Sequence, residues 1–275
     1  MSFQLLTLKS IRARPVMLKL KRPVVARIAT LTEWPLILID LYTEEGVIGR
    51  SYLEPYIRKS MRYLIPALHD LGEMLTRSAG SLRSNFTKQA ANRCTSREAV
   101  GSEMSLMVDF NQGLHFGEAL ERCHAIDDLG LAWIEEPIVY DHLEGYARLT
   151  ADLKTPIQIG ENFYGPRALY TALQMKACDY VMPDFMRIGG VTGWQRAAAI
   201  AAAAGIPIST HLYPEMAAHV MRVSETAHWL EWQDWANPIL QQPYEVKAGK
   251  LHIPDVPGIG LEWDEKAVAA HLADF

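Results

Sequence analysis

Residues 104–136, MSLMVDFNQGLHFGEALERCHAIDDLGLAWIEE, contain the pattern from which the fold can be predicted. It begins and ends with a short apolar run that finishes in an acidic residue, Asp109 in the first run and Glu135 in the second. The 26 residues that separate the two carboxylates are about what a strand, a loop, a helix and a second loop need. The stretch therefore predicts one βα unit of a parallel sheet.

The same unit repeats along the chain as far as residue 231. Each predicted strand ends in an ionisable residue, and successive strand ends lie 20 to 27 residues apart. The carboxyl ends of parallel strands meet at one rim, where barrel enzymes place their chemistry. No Gly-x-Gly-x-x-Gly turn opens a helix, so the pattern favours a (β/α) barrel over an open doubly wound sheet. The six predicted strands are Met104–Phe110, Ala132–Glu136, Pro156–Glu161, Tyr180–Asp184, Pro207–His211 and His228–Glu231.

The first 96 residues follow other patterns. Branched side chains over Pro35–Tyr42, then a turn and the short run Val47–Gly49, predict two antiparallel strands. Apolar residues recur every three or four positions over Ile57–Leu75, which predicts a helix. Residues 77–96 are polar and lack either period, so we expect an irregular segment there.

Composition excludes several classes of function. The net charge of −5 argues against binding to nucleic acid or to an anionic membrane surface. Cys94, Cys123 and Cys178 share no close spacing, so neither a disulfide framework nor a thiolate zinc site is indicated. There is no signal-peptide pattern and no apolar run of about 20 residues. We therefore expect a soluble cytoplasmic protein.

Three carboxylates, Asp109, Glu135 and Glu161, end three consecutive predicted strands. Like charges held close together repel each other, so a cation between them would stabilise the group. Ligation by oxygen alone suits Mg²⁺, or Mn²⁺, better than zinc. Glu136 should point to the opposite side of its strand and make a structural ion pair.

The next strand ends carry groups suited to acid–base chemistry. Asp184 and His211 end neighbouring strands, so the carboxylate can accept a hydrogen bond from the imidazole and raise its basicity. Glu231, on the last strand, could donate a hydrogen bond to a substrate if it stays protonated. Asn111 lies two residues beyond Asp109 and would share its face in a continuing strand, as a candidate amide for substrate or ligand orientation.

Taken together, these motifs resemble the enolase superfamily, and within it most closely the mandelate racemase branch. The resemblance covers about residues 1–75 and 97–263. It implies that Asp109, Glu135 and Glu161 bind Mg²⁺, that His211 with Asp184 is one acid–base group, and that Glu231 hydrogen-bonds the substrate carboxylate. The motifs that carry it are MVDFNQ at 107–112, WIEEP at 133–137, GEN at 160–162, PD at 183–184 with IGGVTGW at 188–194, and STHL at 209–212.

The resemblance also implies the architecture. An α+β capping domain would occupy residues 1–96, with the irregular segment 77–96 at its end. A modified TIM barrel would occupy 97–243, and residues 244–275 would return to the capping domain. Only six barrel strands are recognised where the family has eight, so the predicted barrel is incomplete. Relatives are typically multimeric, and we expect a homo-oligomer that acts on a small-molecule carboxylate.

The reaction implied is removal of the proton alpha to a carboxylate, through an enediolate that the metal stabilises. The reaction that we expect is racemisation of a 2-hydroxy acid, as in mandelate racemase. It needs a second base, which the family supplies from a Lys-x-Lys motif. No such pair lies between residue 75 and Asp109, where Lys88 stands alone. Two alternatives stay open: an acid-sugar dehydratase that uses His211 alone, and an inactive metal-binding remnant.

Overall fold

The computed structural model describes residues 6–26, 29–77 and 104–274. The chain divides into two compact units, one made of residues 1–24, 31–83 and 233–275 and the other of residues 25–30 and 84–232. Most of the predicted irregular segment 77–96, with Lys88 in it, lies outside the described residues. The predicted domain boundaries at 96 and 243 stay a prediction.

The first unit contains a three-stranded sheet and a helix. Strands β1 (Leu8–Ala26), β2 (Ala29–Thr43) and β3 (Ile48–Leu53) lie in that order. β2 and β3 pair antiparallel, with Ile37 opposite Leu53, which confirms the predicted strand–turn–strand. Helix α1 (Met61–Arg77) follows a 3₁₀ turn and confirms the predicted helix.

Helix α1 packs its apolar face on this sheet. Met61 and Ile65, four residues apart on one side of the helix, contact the buried side chains of Ala13 and Ile37. Further along the chain, the unit adds a hairpin of β8 (Glu245–Lys247) and β9 (Lys250–His252).

A buried ionic group joins the end of the chain to the first two strands. The Arg14 guanidinium donates to Asp40 Oδ2 at 2.9 Å and also pairs with Glu265, the first residue of helix α7 (Glu265–His271). The Trp263 indole donates to the other oxygen of Asp40 at 2.7 Å. The C-terminal segment is therefore an integral part of the first unit.

The second unit is a succession of βα units. Its parallel sheet has the strand order β4–β5–β6–β7, so each strand lies beside the one before it. The strands are β4 (Met107–Asp109), β5 (Trp133–Glu135), β6 (Ile157–Ile159) and β7 (Tyr180–Val181). The helices are α2 (Phe116–His124), α3 (Leu143–Asp152), α4 (Pro166–Gln174), α5 (Gly190–Ala203) and α6 (Pro214–Met221).

The last two predicted strands are less regular than expected. Residues 207–211 and 228–231 form no continuous ladder, and the sheet continues as isolated parallel bridges from Val181 to Ile208 and from Ile208 to Ala227. The described part of the chain thus has four regular barrel strands, not six, although the predicted neighbour relations hold. This is a partial barrel, as the sequence indicated.

The strands direct alternate side chains to two environments. Ile134, Ile157, Ile159 and Val181 are buried in a core shared with the helices. The residues between them point to the other face of the sheet, toward the barrel interior. This alternation decides which side chains can reach the candidate site. Among the described residues, no helix is long and apolar enough to cross a membrane.

Candidate active site

The structure brings the predicted strand-end residues to one rim of the sheet. Asp109 and Glu135 are the last residues of β4 and β5 and lie directly opposite each other in the register. Glu161 follows β6 by two residues, and a parallel bridge joins Asp184 to His211. The expected convergence at the carboxyl ends of the strands is therefore present.

Asp184 and His211 form the expected hydrogen bond. Nδ1 of the His211 imidazole lies 2.9 Å from Asp184 Oδ2, and both side chains are buried. The other Asp184 oxygen accepts from the Arg187 backbone N–H at 2.8 Å, which fixes the carboxylate. With Nδ1 held in this way, Nε2 is the imidazole nitrogen that faces the rim, 3.2 Å from Glu161 Oε2.

Several charged groups act on His211 and Glu161. Burial lowers the pKa of the imidazole, but the hydrogen bonds to Asp184 and Glu161 and the nearby negative charges raise it well above its usual value. For Glu161, burial raises the pKa, while His211, the Arg187 guanidinium and Asn162 together lower it to about 2. The protonated imidazole and the Glu161 carboxylate therefore stabilise each other, and a cation held by Glu161 would weaken this attraction and favour the neutral imidazole that a base requires.

The pKa values of Asp109 and Glu135 are raised, whereas that of Glu161 is lowered. Burial, together with the negative charge of Glu161, raises the pKa of Asp109 to about 7. Burial and the charge of Asp109 raise the pKa of Glu135 to about 8. Both carboxyls therefore resist ionisation because they are buried beside other carboxylates, and a cation between them would remove that penalty.

Glu231 and Asn111 reach the same rim in ways that the sequence did not predict. Glu231 Oε2 accepts a hydrogen bond from the Leu212 backbone N–H at 2.6 Å. Asn111 lies beyond the end of β4 with a φ of 46°, so it does not continue the strand face. Its backbone N–H instead donates to Asp109 Oδ1 at 2.6 Å and its amide lies 3.4 Å from Asp109 Oδ2. Asn111 thus orients Asp109.

The predicted ion pair of Glu136 is not found among the described residues. The chain turns immediately after β5, where Glu136 has a φ of 34°, and the buried carboxylate accepts hydrogen bonds from the Gln112 and Asn162 amides and from the Gly160 backbone N–H. Burial and the charge of Glu161 raise its pKa to about 8. Sequence reasoning missed Gln112, Asn162 and Arg187, because their roles depend on these turns rather than on strand alternation.

The donor groups at the rim fit a hard divalent cation. As the side chains stand, no three His, Cys, Asp or Glu residues of the described ranges form a ready-made metal cage. The three strand-end carboxylates nevertheless offer only oxygen donors. Asn162 Oδ1, beside Glu161, is buried with no hydrogen-bond partner within the described ranges. Asp109, Glu135 and Glu161 are the residues that would hold the ion.

The comparison with known families agrees with this geometry. The family model described as enolase C-terminal domain-like matches residues 83–267, about two thirds of the chain. The chain belongs to the enolase superfamily. The superfamily resemblance is thereby confirmed, and the relatives that the chain matches are enzymes.

Three relatives illustrate the match. A crystal structure of an enolase from alpha proteobacterium bal199 with bound Mg is 48% identical, with a TM-score of 0.89, over 98% of this chain and 100% of that one. A Bradyrhizobium enolase complexed with magnesium and mandelic acid is 29% identical, with a TM-score of 0.88, over 99% of this chain and 100% of that one. The L-talarate/galactarate dehydratase of Salmonella typhimurium is 34% identical over 171 residues.

The match to the curated dehydratase is partial in extent. It covers 62% of this chain and 43% of the dehydratase, so the chain matches less than half the length of that relative. The matches to the two solved structures extend over nearly the whole of both chains, and those structures have the same overall fold.

Proposed function

We propose that the chain removes the proton alpha to a carboxylate with the help of Mg²⁺. The observation that carries this proposal is the buried Asp184–His211 pair, which directs imidazole Nε2 to within 3.2 Å of Glu161 at the rim that the other carboxylates share. Solved relatives with bound magnesium support the choice of metal.

The position of each residue suits it to one role, either metal binding or proton transfer. Asp109, Glu135 and Glu161 would hold the ion. When bound, Mg²⁺ supplies the positive charge that stabilises an enediolate. His211 Nε2 would take the proton, and Asp184 would stabilise the imidazolium through the 2.9 Å hydrogen bond to Nδ1.

Glu231 would hydrogen-bond the substrate carboxylate. Its backbone N–H donates to Thr210 Oγ1 at 2.9 Å, and its Oε2 accepts from the Leu212 N–H at 2.6 Å. Both bonds fix the side chain at the rim beside His211. Its other oxygen, Oε1, would contact the substrate.

Dehydration of an acid sugar is the reaction that these groups support best. His211 would first remove the proton alpha to the carboxylate and then protonate the leaving β-hydroxyl, so that water is lost and the resulting enol becomes a 2-keto acid. One base suffices for this sequence of steps, and the sequence has no Lys-x-Lys pair between residue 75 and Asp109. The match to L-talarate/galactarate dehydratase supports it.

Racemisation of a 2-hydroxy acid is the second candidate. It is favoured by one observation, the full-length match to a Bradyrhizobium enolase complexed with magnesium and mandelic acid. Inversion at the alpha carbon requires a proton donor on the face opposite His211. Because the sequence has no Lys-x-Lys pair between residue 75 and Asp109, a different residue would have to supply this proton.

Product analysis tests the two candidates. The Mg²⁺-loaded protein would be incubated in D₂O with galactarate, L-talarate and each enantiomer of mandelate. Dehydration gives a 2-keto acid, whereas racemisation gives the opposite enantiomer with deuterium at the alpha carbon. His211→Asn should abolish either product, while His124→Asn, at the exposed end of α2, should not. Mg²⁺ binding with neither product nor exchange on any acid tested would support the inactive metal-binding remnant.

A further inference from the structure

One oxygen of the Glu135 carboxylate receives two hydrogen bonds from the protein. The Trp133 indole Nε1 donates to Glu135 Oε2 at 2.9 Å, and the Gln158 amide Nε2 donates to the same oxygen at 3.1 Å. Both donors are buried, with 6% of Trp133 and 2% of Gln158 exposed. The carboxylate is thus held from two sides through a single atom.

The strand geometry explains why these two side chains meet Glu135. Trp133 lies two residues earlier on β5, so its side chain shares the interior face with Glu135. Gln158 is the residue directly opposite Glu135 in the register of β5 with β6. One donor therefore comes from the same strand and the other from its neighbour, and both are fixed by the sheet itself.

The two donors are not explained by local hydrogen-bond satisfaction alone. A buried indole N–H needs an acceptor, but the acceptor need not be a carboxylate, since Trp194 donates to Ser224 Oγ at 2.9 Å. Gln158 lies between the core residues Ile157 and Ile159, and its Oε1 is buried with no hydrogen-bond partner among the described residues. Such an amide costs free energy that an apolar side chain would avoid.

We propose that Trp133 and Gln158 are positioning residues that hold Glu135 by Oε2 and so reserve Oε1 for the metal ion. This inference rests on the proposed function, in which Glu135 is a Mg²⁺ ligand. Groups that hydrogen-bond a metal ligand fix its orientation, and their removal typically lowers metal affinity by about 10- to 100-fold. The two side chains would therefore determine how tightly the ion binds, although neither touches it.

Calorimetric titration with MgCl₂ tests the proposal on the full chain without any substrate. Trp133→Phe keeps an aromatic ring and removes the N–H, and Gln158→Leu removes the amide at similar volume. Each variant should weaken Mg²⁺ binding by about 10-fold or more. Trp194→Phe, which removes an equivalent indole hydrogen bond from the same unit, is the matched control and should bind Mg²⁺ as the wild type does.

Tryptophan fluorescence adds a readout that depends on position. A signal change on adding MgCl₂ should be lost in Trp133→Phe and kept in Trp194→Phe. Circular dichroism shows which variants are folded. If Trp133→Phe is unfolded, the Mg²⁺ affinity of Gln158→Leu tests the positioning role. If the wild type fails to bind Mg²⁺, the proposed function is wrong. If it binds and both variants bind equally well, only the positioning role is overturned.

Discussion

Replacing Asp109 by asparagine should stabilise the metal-free protein, although it removes a proposed metal ligand. Burial and the charge of Glu161 raise the pKa of Asp109 from its ordinary value of 3.8 to about 7. The folded protein therefore binds this proton more tightly than the unfolded chain does. Its free energy of unfolding falls as the pH rises from about 4 through about 7, and the loss is complete above that window.

The magnitude follows from the size of that change. One pKa unit corresponds to about 1.4 kcal/mol, so the raised pKa of Asp109 lowers the free energy of unfolding, relative to its value at low pH, by about 4 kcal/mol at pH 9 and by about 2 kcal/mol at pH 5. The asparagine side chain of the variant would carry no charge at either pH and could still accept the hydrogen bond from the Asn111 N–H. The advantage of Asp109→Asn should therefore about double between the two pH values.

Urea unfolding of chelator-treated protein at both pH values measures this difference, because groups remote from Asp109 contribute equally to wild type and variant. Loss of the Asp109 charge also makes ionisation of Glu135 easier, which adds to the advantage of the variant at pH 9. Adding Mg²⁺ at pH 9 should reverse the order, since only the wild type keeps all three carboxylates. A metal-free Asp109→Asn variant that is less stable than wild type at pH 9, or whose advantage does not grow with pH, would contradict this prediction.

Two further predictions concern the same unit. Because the pKa values of Asp109 and Glu135 are raised to about 7 and about 8, Mg²⁺ should bind more tightly as the pH rises from about 6 to about 9, and its binding should release protons. Calorimetric titrations in two buffers with different ionisation enthalpies would detect this release, and equal binding heats in the two buffers at pH 7 would contradict it. A Cβ on Gly193 would lie 1.9 Å from the Ile188 carbonyl oxygen, so Gly193→Ala should lower the free energy of unfolding by about 1–3 kcal/mol. A Cβ on Gly117 would have no neighbouring atom within 4 Å, so the control Gly117→Ala should raise the free energy of unfolding by up to about 1 kcal/mol in the same urea assay. An equally stable Gly193→Ala would show that α5 can shift freely.

The fold could be predicted from the sequence where one physical rule controls it. Strand alternation and helical spacing gave the β2–β3 pair, helix α1 and the order of the βα units. The same rules put Asp184 and His211 on neighbouring strand ends, and their hydrogen bond is present at 2.9 Å. Such features depend on the spacing of apolar residues and on the number of residues between successive strand ends, and both can be read from the sequence.

The details of the rim could not be predicted because they depend on turns. Alternation sends Glu136 away from Glu135, but the strand ends there and a positive φ turns the Glu136 carboxylate toward Gly160 and Asn162. The contact of Arg187 with the Glu161 backbone carbonyl, at 2.7 Å, joins residues 26 positions apart. No period in the sequence encodes such contacts.

Deuterium incorporation is the measurement that reports proton removal for either product. The label enters the alpha carbon of a recovered or racemised acid, or the beta carbon of a 2-keto acid when the enol becomes the ketone. The Mg²⁺-loaded protein would be incubated in D₂O with a panel of acid sugars and 2-hydroxy acids, and substrate and product would be analysed by mass spectrometry. We expect deuterium in at least one recovered acid or its product, and none with His211→Asn or with chelator. Incorporation that persists in His211→Asn would contradict the account.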